Sequence, residues 1–550
     1  MTAAYGVRAC PSFFACVAVA MKDSSPLFRS PRRVSLPDFA GNVLSLPDTP
    51  EAWSCQGQGD GVLLLGLGPG DPRALPCLEG ASAVFWLESG RVRAALAEHR
   101  KDVFCPPASW QEVSPQRAVE LAAVCRCCMY RPGLRLDPGF WGPLLGRMDA
   151  ARIAPVPQGG RVRPRAVLLP GSEQQLLHQE LRSALRACGF ARVLEDFPRP
   201  PEGAGGQDDA FVAGWQKILA ENRPELLLSV NLRGLDAEGR IFGLCRALGV
   251  PVALWFVDNP WHVLSGVRLP WWREACLFVT DAAFLPGLRE QGATRVFHLP
   301  LAVAPHMWGG GSADSSRLFA FTKTPLFVGR SAFPGRERFF AAARVPQDIA
   351  DQARHVLHAS RGPSGGPHFF WWRDRLNLSL WPGARIRQAG LGAEDCSRDN
   401  RLRWLLASGV GQEGGVRLLG DMGWRSMLPG VEILPPVDYY GSLPQVYARA
   451  AAVLNVTSLL LPHSLSQRHF DVWACGGLLL SDATPGLEIF PHDLTEPICL
   501  NGPEDFLPRL AWLESRPEQA RQLRMAWREH LRSAHEYTHR VQTLCAALGL

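Results

Sequence analysis

The chain has 550 residues, 47% of them hydrophobic and 20% charged, with a formal net charge of +6. That length predicts about two to four domains rather than one core, and the composition excludes wholesale disorder. The 58 Lys and Arg residues are scattered, without the dense basic stripe of a nucleic-acid binder, and suit an anionic small molecule. Fifteen cysteines without an even framework predict reduced thiols and a cytoplasmic location. Cys125, Cys127 and Cys128 cluster, but no second ligand pair follows at zinc-site spacing; they read as small buried hydrophobes. No apolar run reaches the length of a spanning helix, which leaves peripheral membrane contact as the only membrane association expected.

In chain order, residues 1 to about 60 lack sustained periodicity and read as an irregular leader. Arg8 precedes an apolar stretch at 9–21, and Ala18-Val19-Ala20 has the small residues of a cleavage site. Pro11 interrupts that stretch, so a disordered leader or an over-extended start codon is preferred to a secretory signal. A buried strand then enters a Gly-rich turn at 61–70, and a second strand at 83–87 ends on Glu88. A strand, Gly-x-Gly-x-Gly and an acid about 20 residues on form a Rossmann-like pattern. Pro69 lacks an N–H, and residues 61–150 are short for a cofactor domain, so a small structural Rossmann-like domain is expected.

The basic, Gly- and Pro-containing segment 158–165 reads as a linker. Apolar runs at 165–169, 191–194, 225–230, 252–257, 277–280 and 296–299 alternate with helical stretches. They predict a parallel sheet covered on both faces, over 160–310. A second alternation, over 320–550, begins at 326–330 and is broken by a Trp-, Pro- and Gly-rich insertion at about 345–400. It resumes with strands at 416–419, 431–434 and 453–456. The stretch 463–490 reads as an amphipathic helix, a Gly-Gly turn, a buried strand at 478–481 and a polar loop, and a helical tail follows. The predicted fold class is α/β: two doubly wound Rossmann-like domains behind a small Rossmann-like one.

In order, GQEGGVRLLGDMGW, LPPVDYYGSLPQVYARAAAVLNVTS, QRHFDVWACGGLLLSDATPGLEIF and AHEYTHRVQTL resemble the C-terminal half of the spore-maturation CgeB-like glycosyltransferases. LWFVDNPWH and LFVTDAAFLPGLREQGATRVFHLPLAV resemble the domain usually paired with it, so the resemblance spans about 160–550. It implies a GT-B fold with a nucleotide-sugar site in the cleft between two Rossmann-like domains. It also implies a hexosyltransferase-like enzyme whose donor is a nucleotide-diphosphate sugar, with no further cofactor required. The acceptor would be a protein, a bacterial cell-surface polysaccharide precursor or a lipid-linked glycan. The front segment, with GLGPG and Glu88, resembles the methyltransferase-like segment ahead of some such transferases.

Sugar transfer requires that the diphosphate be stabilised, the sugar held, and the acceptor hydroxyl deprotonated or placed. Arg468 matches an Arg three residues before an acidic helix position in the resembling family, and a guanidinium grips phosphate bidentately. Asp471 matches the acidic position, which in related enzymes holds ribose hydroxyls. Related transferases often carry Glu-x7-Glu here; this chain has His463 and Asp471 in those places, which makes His463 a candidate donor or acid/base group. Gly476 and Gly477 would let a ligand approach the backbone. Thr484, Gly486 and Glu488 lie on the loop beyond. Gly329 and Arg330 end the first strand of the second domain, with Arg330 a second phosphate candidate and Arg336 a third. Asn455, Thr457 and Ser458 follow another strand end. Asp258 is the general-base candidate, or else the cap of an Asp-Asn-Pro turn. Trp255, Trp261, Trp271 and Trp272 read mostly as core. No Asp-x-Asp motif appears, and no metal is expected. Two other readings stay open. One is a non-catalytic nucleotide- or glycan-binding protein on a degenerate GT-B scaffold, motivated by His463. The other is methyltransferase-like cofactor binding by the front domain.

Overall fold

The computed structural model describes residues 34–99, 104–153, 164–198, 209–309, 321–360 and 365–550. The apolar stretch 9–21, most of the expected linker, most of the Pro/Gly loop at 198–206 and part of 362–367 lie outside the described residues. Among those described, the first strands are β1 (Val34–Pro37) and β2 (Val43–Leu46), an antiparallel pair. A five-stranded sheet follows: β3 (Trp53–Gln56), β4 (Gly61–Leu65), β5 (Ala83–Leu87), β6 (Gln111–Glu112) and β7 (Arg126–Tyr130), in the order β3-β7-β4-β5-β6. The leader is therefore not irregular throughout. β3 carries little strand signal of its own and is completed by antiparallel pairing with β7.

The second sheet contains β8 (Ala166–Leu168), β9 (Arg192–Leu194), β10 (Leu226–Val230), β11 (Val252–Phe256), β12 (Cys276–Val279) and β13 (Val296–His298). Its order is β13-β12-β11-β10-β8-β9, with every pair parallel. Every residue of β10 and β11 is buried, as two-sided cover by helices demands. The third sheet contains β14 (Leu326–Val328), β15 (Arg417–Leu419), β16 (Ile433–Leu434), β17 (Val453–Asn455), β18 (Leu479–Asp482) and β19 (Cys499–Leu500). Its order, β16-β15-β14-β17-β18-β19, is also wholly parallel. The winding reverses between β8 and β10 in one sheet and between β14 and β17 in the other, and ligands of such sheets bind beyond the carboxyl ends at the reversal.

Loops leaving the two carboxyl edges touch, so those edges face each other across a cleft. His463 N donates to Asp281 Oδ2 at 3.0 Å, Asn259 Nδ2 to Leu460 O at 3.2 Å, and Tyr440 OH to Glu180 Oε2 at 3.1 Å. This is the GT-B arrangement implied by the resemblance.

Two segments tie the domains together in ways their sequence position does not show. The insertion forms helices Gln347–Ala359, Phe369–Arg375 and Arg387–Ala407, and its Trp372, Leu380 and Trp381 share a core with Trp261, Trp272 and Phe284 of the first domain. The last helix, Tyr537–Leu548, was expected in the second domain but packs Val541 and Leu544 on Leu181 and Leu185 of the first. Trp255, Trp261, Trp271 and Trp272 are all core residues.

In the front unit, Glu88 turns onto the Gly-rich loop. Its carboxylate accepts from Leu67 N and Ser89 N, both at 2.8 Å, and burial pushes its pKa up to about 7. Asp48 lies over Gly70, and the Tyr130 ring lies over Gly68. Side chains of the protein thus cover the turn where a cofactor phosphate would sit. The expectation of reduced thiols fails at one pair: Cys55 and Cys128, directly opposed in the β3–β7 ladder, are joined as a disulfide.

Helix Pro138–Ala151 carries this unit onto helix Arg240–Ala247 of the first domain. A Cβ on Gly146 would stand 2.4 Å from Gly243 O, and Arg240 grips buried Asp149 through two hydrogen bonds of 2.8 and 2.9 Å. Gly146→Val is therefore expected to cost about 1–3 kcal/mol by overpacking, read as a lower urea-unfolding midpoint. Gly142→Val, where a Cβ meets nothing within 4 Å, should leave the midpoint nearly unchanged.

Candidate active site

The site forms where β14 and β17 part. Beyond β14, Ser331 donates to Asp421 from its N at 3.0 Å and its Oγ at 2.6 Å, and Gly329 N donates to Leu419 O at 3.0 Å. These bonds fix the turn 329–331 and leave Arg330 exposed, without a partner among the described residues.

At the end of β17, buried Asn455 donates to Ser481 Oγ at 3.0 Å. Its Oδ1 accepts from Ser466 Oγ at 2.8 Å and from Arg468 Nε at 3.0 Å. Arg468 Nη1 donates to Val328 O at 2.8 Å, so one guanidinium ties the ends of β14 and β17 together. Both acceptors are neutral. Burial lowers the Arg468 pKa, and no carboxylate forms an ion pair with it among the described residues. Its Nη2 makes no hydrogen bond to a described residue. A half-buried cation held only by neutral oxygens is suited to an anion arriving from the cleft.

The surrounding polar groups hold this arrangement. His469, pushed down to about 3 by burial and so neutral, accepts from Ser466 N at 3.0 Å through Nδ1, while its Nε2 lies 3.1 Å from Ser481 Oγ. At the end of β18, Asp482 accepts from Thr457 N at 3.0 Å and Thr457 Oγ1 at 2.8 Å, and burial raises its pKa to about 6. Asn455 and Thr457 are thus buried in the framework of the crevice.

Other expected site residues lie elsewhere or are occupied. The helix here is shorter than expected, Arg468–Ala474. Asp471 is buried, and its carboxylate accepts from Gln467 Nε2 at 2.9 Å, Tyr439 OH at 2.9 Å and Ala304 N at 3.3 Å. It therefore anchors the crossing between domains. Gly476 and Gly477 precede the amino end of β18, the edge of the sheet away from the cleft, and a Cβ on Gly477 would stand 2.6 Å from Tyr447 O. Gly477 is required by packing and Gly476 by its positive φ of 79°, and the structure does not bring them to the crevice. Thr484 is buried and its Oγ1 bonds to Ser464 O at 3.2 Å; Gly486 lies against His463 O. Glu488 is exposed on the 3-10 turn Pro485–Ile489. Arg336 is paired with Asp395 and Glu337.

Across the cleft, Asp258 follows β11 and accepts from Asn231 Nδ2 at 2.7 Å. The capping role belongs instead to its neighbour Asn259, whose side chain accepts from Trp261 N. Asp258 is exposed yet deep in the cleft, where surrounding protein raises its pKa. Asn231 and Leu232 both have positive φ, 51° and 63°, so the turn that aims Asn231 is strained. Sequence reasoning missed Asn231, Asp281, Asp421 and Asp482. Each is a polar residue at or just past the carboxyl end of a strand, a signal that was available. Asp281 accepts from Ala283 N at 2.8 Å as well as His463 N, and burial raises its pKa to about 6.

Residues 398–546 match the family model described as glycosyl transferase-like. This part of the chain is a glycosyltransferase domain. It contains Asn455, Arg468 and Asp482, while Arg330 precedes it. No curated protein is similar to the chain. Among solved structures, a glycosyltransferase from Rickettsia africae superposes with a TM-score of 0.42 at 8% identity, covering 70% of this chain and 98% of that one. Anabaena Alr3699/HepE in complex with UDP-glucose gives 0.41 at 10% identity, covering 70% and 99%. At this distance neither likeness bears on residues or chemistry.

The Asp471 pKa, raised from 3.8 to about 7 by burial, makes the glycosyltransferase domain pH-sensitive. The folded protein holds that proton more tightly than the unfolded chain. The group's stabilising contribution is therefore full below the unfolded value and is lost as pH rises through about 7. Asp471→Asn should gain melting temperature relative to the natural protein between pH 5 and 8, a trend of roughly a few kcal/mol at most. A difference independent of pH would show that the carboxyl stays ionised.

Proposed function

We propose that the protein transfers a sugar from a nucleoside diphosphate sugar to an acceptor hydroxyl, in the cleft between the second and third sheets. The observation that carries this reading is Arg468, half-buried between Val328 O and Asn455 without a counter-ion among the described residues. With exposed Arg330 on the adjoining turn, it offers two cations where a diphosphate leaves, which supports catalysis without a metal. The glycosyl transferase-like match over 398–546 agrees with this chemistry. In this reading Asp258, aimed by Asn231, takes the acceptor proton as the new glycosidic bond forms and the bond to diphosphate breaks.

His463 lies on the loop that meets Asp281, and we assign it to the sugar rather than to the phosphates. Thr484, Gly486 and Glu488 line the same loop region, with Glu488 the one exposed carboxylate among them. Asn455, Thr457 and Asp471 act by positioning. The CgeB-like resemblance favours a cytoplasmic enzyme acting on a protein, a cell-surface glycan precursor or a lipid-linked glycan. No helix among the described residues is long and apolar enough to cross a membrane. A second reading, binding without turnover, is favoured by the occupied Asp471 carboxylate and by His463 standing where related enzymes carry Glu.

Thermal-shift titration with UDP, GDP, CDP and dTDP tests the site. One nucleotide should stabilise the protein, and Arg330→Ala should weaken its binding about 10- to 100-fold, the loss of one charge-assisted contact. The melting temperature without ligand should not change, because Arg330 makes no internal bond. Nucleotide binding unaffected by Arg330→Ala and Arg468→Lys would remove the phosphate assignment. Asp258→Asn should lower turnover of the identified donor by about 10²–10⁴-fold with donor affinity unchanged. Equal turnover would eliminate Asp258 as base.

A further inference from the structure

The dense Cys125-x-Cys127-Cys128 run does not act as a unit. Successive strand residues face opposite sides of a sheet: Cys125 and Cys127 join the core under helix Pro138–Ala151, while Cys128 joins the core on the other face. There Cys128 meets two cysteines distant in sequence. Cys55 lies opposite it on β3, and Cys77 sits on the 3-10 turn Pro76–Leu78, between β4 and β5. The three Sγ atoms all lie within 4.8 Å of one another. Three sulfurs around one ion at metal–sulfur bonds of about 2.3 Å stand about 4 Å apart, so once the Cys55–Cys128 bond is opened and those two sulfurs part, the three thiols are close enough to converge on one ion.

We propose that the reduced protein binds one thiophilic metal ion of the monovalent copper class through Cys55, Cys77 and Cys128. Cys128 is fully buried, Cys77 is half-buried and Cys55 is exposed, so the site is anchored in the sheet and open on one side for entry. Soft thiolates select a soft ion, and three sulfurs with no His or carboxylate joining the cluster among the described residues disfavour the four-coordinate geometry of structural zinc. Three thiolates around a monovalent cation leave a net charge of about −2. Arg126 supplies compensation. Its guanidinium donates to Cys77 O at 3.2 Å and Gly59 O at 3.4 Å, both neutral oxygens beside the cluster.

The site is gated by redox state. With Cys55 and Cys128 joined, only Cys77 remains a thiol. A dithiol reductant opens the bond by exchange, becoming a cyclic disulfide and leaving two protein thiols. Metal binding then displaces the thiol protons. Reducing conditions therefore create the ligand set, and oxidation removes it.

The test uses the full chain in two states, reduced anaerobically by excess dithiothreitol and then desalted, or left with the Cys55–Cys128 bond intact. Each is titrated with Cu(I) against a chromophoric chelator. The reduced protein should compete for one equivalent, with X-ray absorption showing three sulfur neighbours. Cys77→Ser, which leaves the disulfide pair untouched, should weaken that equivalent more than about 100-fold, beyond the loss of an outer-sphere partner. Cys55→Ser, at an exposed position, should do the same, and Cys188→Ser in the second sheet's domain should not. Equal affinity in the oxidised protein or in folded Cys77→Ser, or no tight equivalent in the reduced protein, would overturn the proposal.

Discussion

One guanidinium organises the cleft. Arg468 reaches from a short helix to the carbonyl that ends β14 and the amide that ends β17, the two strands between which the winding reverses. A parallel sheet splays its loops apart at that point, and the crevice needs something to hold its lips at a fixed distance. A neutral side chain could make the same two bonds. A cation makes them and leaves the crevice positively charged, since Val328 O and Asn455 Oδ1 neutralise nothing. The same contact thus gives the site both its shape and its affinity for an anion.

The surrounding groups follow from that need. Asn455 has to be fixed before it can fix Arg468: Ser466 and Ser481 complete its hydrogen bonds, and neutral His469 holds those two serines in turn. Asp482 is turned to Thr457 instead of to Arg468. A carboxylate in direct contact would have satisfied the guanidinium and closed the site to ligands. On the opposite wall, strain at Asn231 and Leu232 aims an amide at Asp258, leaving the exposed carboxylate oriented and accessible.

The cleft is set by contacts that run across the chain's own order. The insertion leaves the second domain and completes the aromatic core of the first, and the final helix returns to close the first domain's other face. The first domain is thus partly built from the second's sequence. Relative motion of the two sheets has to pass through these crossings and through the Asp281–His463 and Glu180–Tyr440 bonds.

The apolar runs of β8, β10, β11, β14, β17 and β18 were legible in the sequence because a strand covered on both faces must be apolar almost throughout. Arg330 and Asp258 were legible as polar residues beside strand ends, and Arg468 through the family resemblance, whereas the strand order and its reversal points came only from the structure. The sequence by itself therefore determined the fold class, the location of the crevice and the types of residue at its mouth. It did not determine which polar groups stay free. Asp471 resembles a ligand residue in one dimension, but Tyr439, Gln467 and Ala304 occupy it in three. Gly476 and Gly477 look permissive to a ligand, yet they turn the chain at the wrong edge of the sheet. The convergence of Cys55, Cys77 and Cys128 has no spacing to reveal it. These outcomes depend on partners tens to hundreds of residues away, and only tertiary packing decides whether a lone pair, an N–H or a sulfur is already occupied.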